Sequence, residues 1–273
     1  MFKLALAFVS LVFTLQDVAC RPFVEAPADL VVRGTDVLSG LGLREVQDEN
    51  IEADAAEFIG FHGTNSQTAT FWEKQGFISK PPSPDNSVWD YIGGLITGTG
   101  GSSGADAELG PGLYVTDDPH IALAFANNNA QVNKGTTPKV CAISAKSSGN
   151  WRVIVNKVFL PENTGLIGDS SDATRKAKFE NARTKYINIV RPGAQASSTV
   201  RFSLLDRNAK TGQLVLPNPI TQLFSAKCFT YDGKTLPSGV HSGFPAFSYN
   251  SNTVRSQWKI TPENTDAAKV ATS

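Results

Sequence analysis

Two short stretches of this chain combine residue types and spacings that could do chemistry. Phe58-Ile59-Gly60-Phe61 is an apolar run that ends on His62-Gly63-Thr64 and turns into a Ser/Thr-rich segment. A histidine at such a junction can face a ligand, and its two ring nitrogens take different hydrogen-bonding roles near neutral pH. Gly63 has no Cβ, so its main-chain N–H and C=O can be closely approached. Well downstream, Gly112-Leu113-Tyr114-Val115-Thr116 carries a tyrosine that could lie flat against a planar ring, worth about 0.5 to 1.5 kcal/mol beyond burial. Other chemistries are poorly supported. Gly100-Gly101-Ser102-Ser103-Gly104 fits the letters of a nucleophile elbow, with Asp232 and His241 following in order, but that motif needs a strand before it and a helix after it, and here both flanks are Gly-rich. The three histidines, His62, His120 and His241, form no spaced metal-binding pair, and no Gly-rich phosphate loop with lysine occurs.

The elements that must hold these residues follow from hydrophobic period and turn chemistry. Glu57 to Phe61 reads as a strand ending at His62, and Asn65 to Gln75, with Phe71 and Trp72 on one face and Gly76 as a stop, reads as a helix. The Gly112 to Thr116 strand is followed by Asp117-Asp118-Pro119, a helix start whose acids suit its dipole, and by an Ala-rich helix from His120 to Asn129. Between these two strand-turn-helix units lies a long Gly/Pro/Ser/Asp loop, Pro81 to Gly112. Lys139 to Ala145 and Trp151 to Phe159 read as strands, and Ser171 to Arg183 as a charged helix capped by Asp172, with Arg175 to Lys178 on a solvated face. Tyr186 to Val190, Val200 to Leu205, Leu214 to Leu216 and Lys227 to Tyr231 have strand composition. Beyond residue 232 the chain is polar, and only Trp258-Lys259-Ile260 looks able to pack.

With 25 basic and 25 acidic side chains the 273-residue chain has no net field to recruit nucleic acid or an anionic membrane. Met1-Phe2-Lys3, the apolar run Leu4 to Leu15 and the small residues near Val18-Ala19-Cys20 read as a signal peptide, because the run is too short for a span of about 20 residues. A secreted protein without stable membrane association is therefore expected. Removal of residues 1–20 leaves Cys141 and Cys228, an even pair in an oxidising compartment, and one disulfide is expected, with two buried thiols as the alternative. A cut one residue earlier would retain Cys20 as a third thiol.

Gly60-Phe61-His62-Gly63-Thr64 followed by Gly112-Leu113-Tyr114-Val115-Thr116-Asp117 resembles the first two signatures of the ADP-ribosyltransferases of the diphtheria-toxin and poly(ADP-ribose) polymerase type. The resemblance implies an α+β fold in which two facing, bent β-sheets form an NAD cleft with peripheral helices. It implies that NAD is the substrate and no metal is needed, with His62, Gly63 and Thr64 binding NAD and Tyr114 stacking on nicotinamide. The family places a second aromatic eleven residues after the tyrosine, which is Phe125 here; ordinary helix core is the other reading of that residue. A later strand carries Glu, or Asp or Gln in variant members. The segment shaped like it is Gly212-Gln213-Leu214-Val215-Leu216-Pro217, which offers Gln213. The catalytic set implied is thus His62, Tyr114 and Gln213.

The expected organisation is a signal peptide (1–20), an N-terminal extension (21–50), a transferase-like domain (51–231) and a polar C-terminal extension (232–273). The expected function is secreted mono-ADP-ribosyl transfer from NAD to a macromolecular acceptor, a protein, by a monomer, with NAD hydrolysis as a side reaction. The alternative is a lapsed scaffold that binds NAD or protein without turnover, a reading that Gln213 keeps open.

Overall fold

The computed structural model describes residues 55–79, 108–168, 170–206, 211–230 and 244–273. The expected signal peptide, the N-terminal extension, Cys20, most of the Pro81 to Gly112 loop, the Gly100 to Gly104 segment, Asp232 and His241 lie outside the described residues.

The two strand-turn-helix units are present, with the strand of the first and the helix of the second longer than the sequence reading. Strand β1, Glu57–Asn65, runs through the whole His-Gly-Thr motif, and Asn65 then caps helix α1, Ser66–Gln75, by accepting from the Thr68 N–H. Gly76 ends α1 in the left-handed conformation, φ 71°, a place where a Cβ would be strained. Strand β2, Leu113–Thr116, leads to Asp118, which caps helix α2, Pro119–Val132, with Pro119 in the first turn. Strand β3, Pro138–Ala145, follows as expected.

Two segments differ from their sequence signal. Trp151 to Phe159 is a single π-helical turn, Asn150–Ile154, followed by a short strand β4, Lys157–Phe159. The turn forms because the Lys157 ammonium, buried beneath it, donates to the main-chain oxygens of Trp151 and Val155 and lies over the Trp151 ring. Tyr186 to Val190 is not a strand but the end of helix α3, Ala173–Val190, capped by Asp172 as expected. Tyr186 and Ile187 lie one turn beyond Ala182 and Arg183, so these four form a buried helical stripe whatever their strand propensity.

Strands β5, Val200–Asp206, and β6, Thr211–Leu216, precede a 3-10 turn, Asn218–Leu223, and strand β7, Phe224–Thr230. Short helices α4, Asn252–Gln257, and α5, Thr265–Thr272, end the chain. The fold is α+β: among the described residues seven strands make one mixed sheet in the order β4-β5-β6-β2-β1-β3-β7, with β4 and β5 parallel and the other neighbours antiparallel. Among the described residues no helix is long and apolar enough to cross a membrane.

The sheet bends. Residues of all seven strands, from Phe159 on β4 to Phe224 on β7, contribute to one apolar cluster. Ring contacts run from Phe224 to Trp151 at 5.7 Å, from Trp151 to Trp258 at 5.1 Å and from Trp258 to Phe202 on β5 at 6.4 Å. In a flat sheet β5 and β7 would be roughly 24 Å apart at the usual strand spacing, a gap two indoles bridge only if the two halves turn toward each other. The opposite face is covered by α2 over β1 and β3, and by α3 and α5 over β4, β5 and β6.

The residues beyond 232 pack more deeply than their polar composition suggests. Tyr249 is fully buried and donates its hydroxyl to Ile59 O at 2.6 Å, while Ala267, Ala268 and Ala271 of α5 fill the cluster against α3. Cys141 and Cys228 are direct cross-strand partners on β3 and β7 and form the expected disulfide.

Candidate functional site

The site is set by how β1 meets its two neighbours. Strand β1 pairs with β3 along its length but with β2 at one position, Phe61 opposite Thr116. The Asp117 N–H donates to Gly212 O on the β6 side, so the odd-numbered residues of β2 turn their main-chain groups to β6 and Tyr114 and Thr116 turn theirs to β1. By the same alternation Phe61, and Gly63 two residues on, direct their N–H and C=O toward β2. Beyond Phe61 the ladder stops, and the main-chain edge at Gly63 faces the space between the strands.

His62 spans that space. Its Nδ1 lies 2.7 Å from Tyr114 O, and because a carbonyl only accepts, the hydrogen sits on Nδ1 and Nε2 carries a lone pair. Burial pushes the ring's pKa down to about 4 against the opposing pull of the Tyr114 carbonyl, so the imidazole is neutral at physiological pH. Among the described residues Nε2 has no hydrogen-bond partner. Trp72 of α1 sets the other side of the ring, with centroids 5.3 Å apart, and its own indole N–H is fixed by Ser79 O at 2.6 Å.

Gly63 is a glycine for a reason the sequence did not reveal. A Cβ there would run into the main-chain oxygen of Ala122 and come within 2.5 Å of Ala126 N, so its bareness admits helix α2. Thr64 is buried on β1 opposite Lys139. Phe125 lies on α2, half-buried, beside the buried Ala122, Leu123 and Ala126 and in none of the apolar clusters of the described residues.

Tyr114 is half-buried, and its hydroxyl is held twice. It accepts from Leu109 N at 2.9 Å and donates to Gly110 O at 2.8 Å, which fixes the ring plane. Gln213 on β6 is opposite Thr116, so it shares a sheet face with Tyr114 one step along the ladder. It is buried, and its Nε2 donates to Ser203 Oγ on β5 at 3.2 Å. Strands β1, β2 and β6, which carry His62, Tyr114 and Gln213, are thus neighbours in the sheet, although far apart in the chain.

Several residues that shape this region gave no readable sequence signal. Asp117, taken with Asp118 as helix-start charge, instead accepts from Gly212 N at 2.8 Å and Tyr249 N at 2.9 Å, pinning β2 to β6 and to the C-terminal segment. Burial raises its pKa to about 6, with those two N–H groups and the charge of Asp118 as smaller influences. Glu180, within the charged helix, joins Arg183 at 3.0 Å and Arg201 at 2.5 Å, both guanidiniums being buried. Its own burial favours the protonated acid, but the hydrogen bonds and charges of the two arginines outweigh that and lower its pKa. A lone carboxylate in a Lys/Arg-rich helix looks solvated until the partner strand is known.

No protein among the curated proteins matches the chain. A family model, described as a family of unknown function (DUF5910), matches residues 107–258, a stretch that holds Tyr114, Phe125 and Gln213 and begins after His62. That match covers more than half of the 273-residue sequence, and the chain belongs to this family.

Proposed function

We propose that the protein is a secreted, ADP-ribosyltransferase-like enzyme that holds NAD by its nicotinamide end at the edge where β1 and β2 part. The observation that carries the reading is the His62 bridge: one ring nitrogen is tied to Tyr114 O, and the other is a neutral acceptor suited to a ribose hydroxyl. The main-chain N–H and C=O of Gly63 face the same space and match the donor and acceptor of a planar carboxamide. Thr64 continues that wall, and Tyr114 and Phe125 would sandwich the nicotinamide ring. The bent sheet, linked at its middle by the single pair Phe61 and Thr116, fits the two facing halves expected of an NAD cleft.

Gln213 would orient the ribose as the glycosidic bond breaks. That bond develops positive charge on the sugar, which a carboxylate stabilises better than an amide, so turnover about 100- to 1000-fold below that of a glutamate enzyme is expected. ADP-ribose would pass to a protein acceptor, or to water, with release of nicotinamide, and the enzyme would act outside the cell as a monomer. The second reading, a lapsed scaffold that binds NAD or a protein surface without turnover, draws on Gln213 being buried and engaged with Ser203.

The test incubates the mature protein with NAD and measures released nicotinamide, beside His62→Ala and Gln213→Glu. Release lost in His62→Ala and raised in Gln213→Glu supports the enzyme. NAD binding without release selects the NAD-binding scaffold, and absence of NAD binding removes the transferase reading.

A further inference from the structure

The buried ion cluster on α3 and β5 touches the same short loop that holds Tyr114. Arg201, Val215 and Tyr114 form one cross-strand row over β5, β6 and β2, so all three side chains emerge on one face of the sheet. Arg201 Nη1 donates to Leu109 O at 2.8 Å, while the N–H of the same Leu109 donates to the Tyr114 hydroxyl at 2.9 Å. Arg183 Nη2 donates to Glu108 O at 2.7 Å and also to Gly168 O, and its Nε donates to Leu166 O at 2.8 Å. Residues 108–110 therefore lie between two guanidiniums on one side and the tyrosine hydroxyl on the other.

Glu180 sets both guanidiniums. Its Oε2 accepts from Arg183 Nη1 at 3.0 Å and from Arg201 Nη1 at 2.9 Å, and its Oε1 accepts from Arg201 Nη2 at 2.5 Å. The side chains of Arg183 and Arg201 are 2% and 3% exposed, so neither can turn to water if the carboxylate is lost. Gly110 completes the fit. It has φ +97°, and a Cβ on it would collide with Arg201 Nη1 and lie 2.6 Å from Glu180 Oε2.

We infer that Glu180, Arg201 and Arg183 are positioning residues for Tyr114, fixing through residues 108–110 the plane of the ring on which nicotinamide stacks; the inference rests on the proposed NAD reading of the site. The cluster does not touch the ligand. It holds Leu109 by its carbonyl so that the Leu109 N–H and the Gly110 C=O hold the tyrosine hydroxyl.

A double-mutant cycle on the mature chain tests this, using Glu180→Gln, Tyr114→Phe and the pair, with NAD as titrant and hydrogen exchange at the Leu109 amide as a second readout. Tyr114→Phe keeps the ring and removes the hydroxyl that Leu109 and Gly110 hold. Each single change is expected to weaken NAD binding about 10-fold and to speed Leu109 exchange, and the pair is expected to be little worse than either alone. Gly110→Ala, which leaves every charge in place, is expected to give the same pattern and covers the case in which Glu180→Gln does not fold. Additive losses, or unchanged NAD binding in a folded Glu180→Gln or Gly110→Ala protein, overturn the positioning role while leaving the NAD site intact. A wild-type protein that binds no NAD overturns the underlying reading and this one with it.

Discussion

His62 reaches across from β1 to hydrogen-bond the main-chain oxygen of Tyr114 on β2, at the point where the ladder between those strands has ended. A side chain thus replaces the next rung of the sheet. The replacement leaves the Gly63 edge of β1 unpaired with β2 and fixes the tautomer with Nε2 as the acceptor, while burial keeps the ring neutral, so one bond decides both the shape of the site and which nitrogen carries the hydrogen.

Acid should act on this site with a definite sign. The folded pKa of His62, about 4, lies below the 6.5 of an unperturbed histidine, so the unfolded chain takes up a proton that the folded one refuses. The stability tied to His62 is present above pH 6.5 and is lost as pH falls toward 4, up to about 3 kcal/mol at roughly 1.4 kcal/mol per unit. Asp117 runs the other way. Its folded pKa of about 6 lies above 3.8, so its contribution is complete below pH 3.8 and is lost as pH rises through 6. The two offset each other in the wild type. Urea titrations at pH 7 and 4.5 should show acid loss steepened in Asp117→Asn and relieved in His62→Gln, and parallel pH slopes in all three proteins would contradict the assignment.

Gly63→Ala should destabilise the fold by about 2 to 3 kcal/mol, because the added methyl meets the backbone of α2 and cannot be avoided by a rotamer change. Gly76→Ala provides the contrast. It has open space around it and only the left-handed φ to strain, so a loss of roughly 1 kcal/mol is expected. Thermal melts of the two variants should rank in that order.

Reduction of the Cys141–Cys228 disulfide removes a link between residues 87 apart and should cost about 4.6 kcal/mol by the chain-entropy relation. Cys228→Ser should lose a similar amount and should become insensitive to added reductant, as read by its denaturation midpoint.

A chain ended at residue 243 should fail to fold cooperatively. It would lack Tyr249, whose hydroxyl serves Ile59 O, and Trp258, which joins the two halves of the bent sheet. It would also lack the alanines of α5 that pack on α3. A sharp urea transition with wild-type slope in that truncated chain would show that these contacts are dispensable.

The sequence by itself determined the two strand-turn-helix units, the cap Asp172 and the cysteine pair, because each depends on a few adjacent residues or on a count. It also marked His62, Tyr114 and Gln213, and the structure puts their strands side by side. Only the tertiary structure decided what those side chains touch. Strand composition at Tyr186 to Val190 gave way to a helix because α5 offered a surface for one helical stripe, and Asn150 to Ile154 wound into a π-turn because a buried lysine needed carbonyls. Gly63 owes its missing side chain to α2, and Asp117 owes its raised pKa to burial in the folded chain, which outweighs the lowering effect of the Gly212 and Tyr249 N–H groups it accepts from. Local sequence sets backbone preference and capping within a turn or two. Burial, and with it the charge state and hydrogen-bond partners of a site, belongs to residues that meet only after the chain has folded.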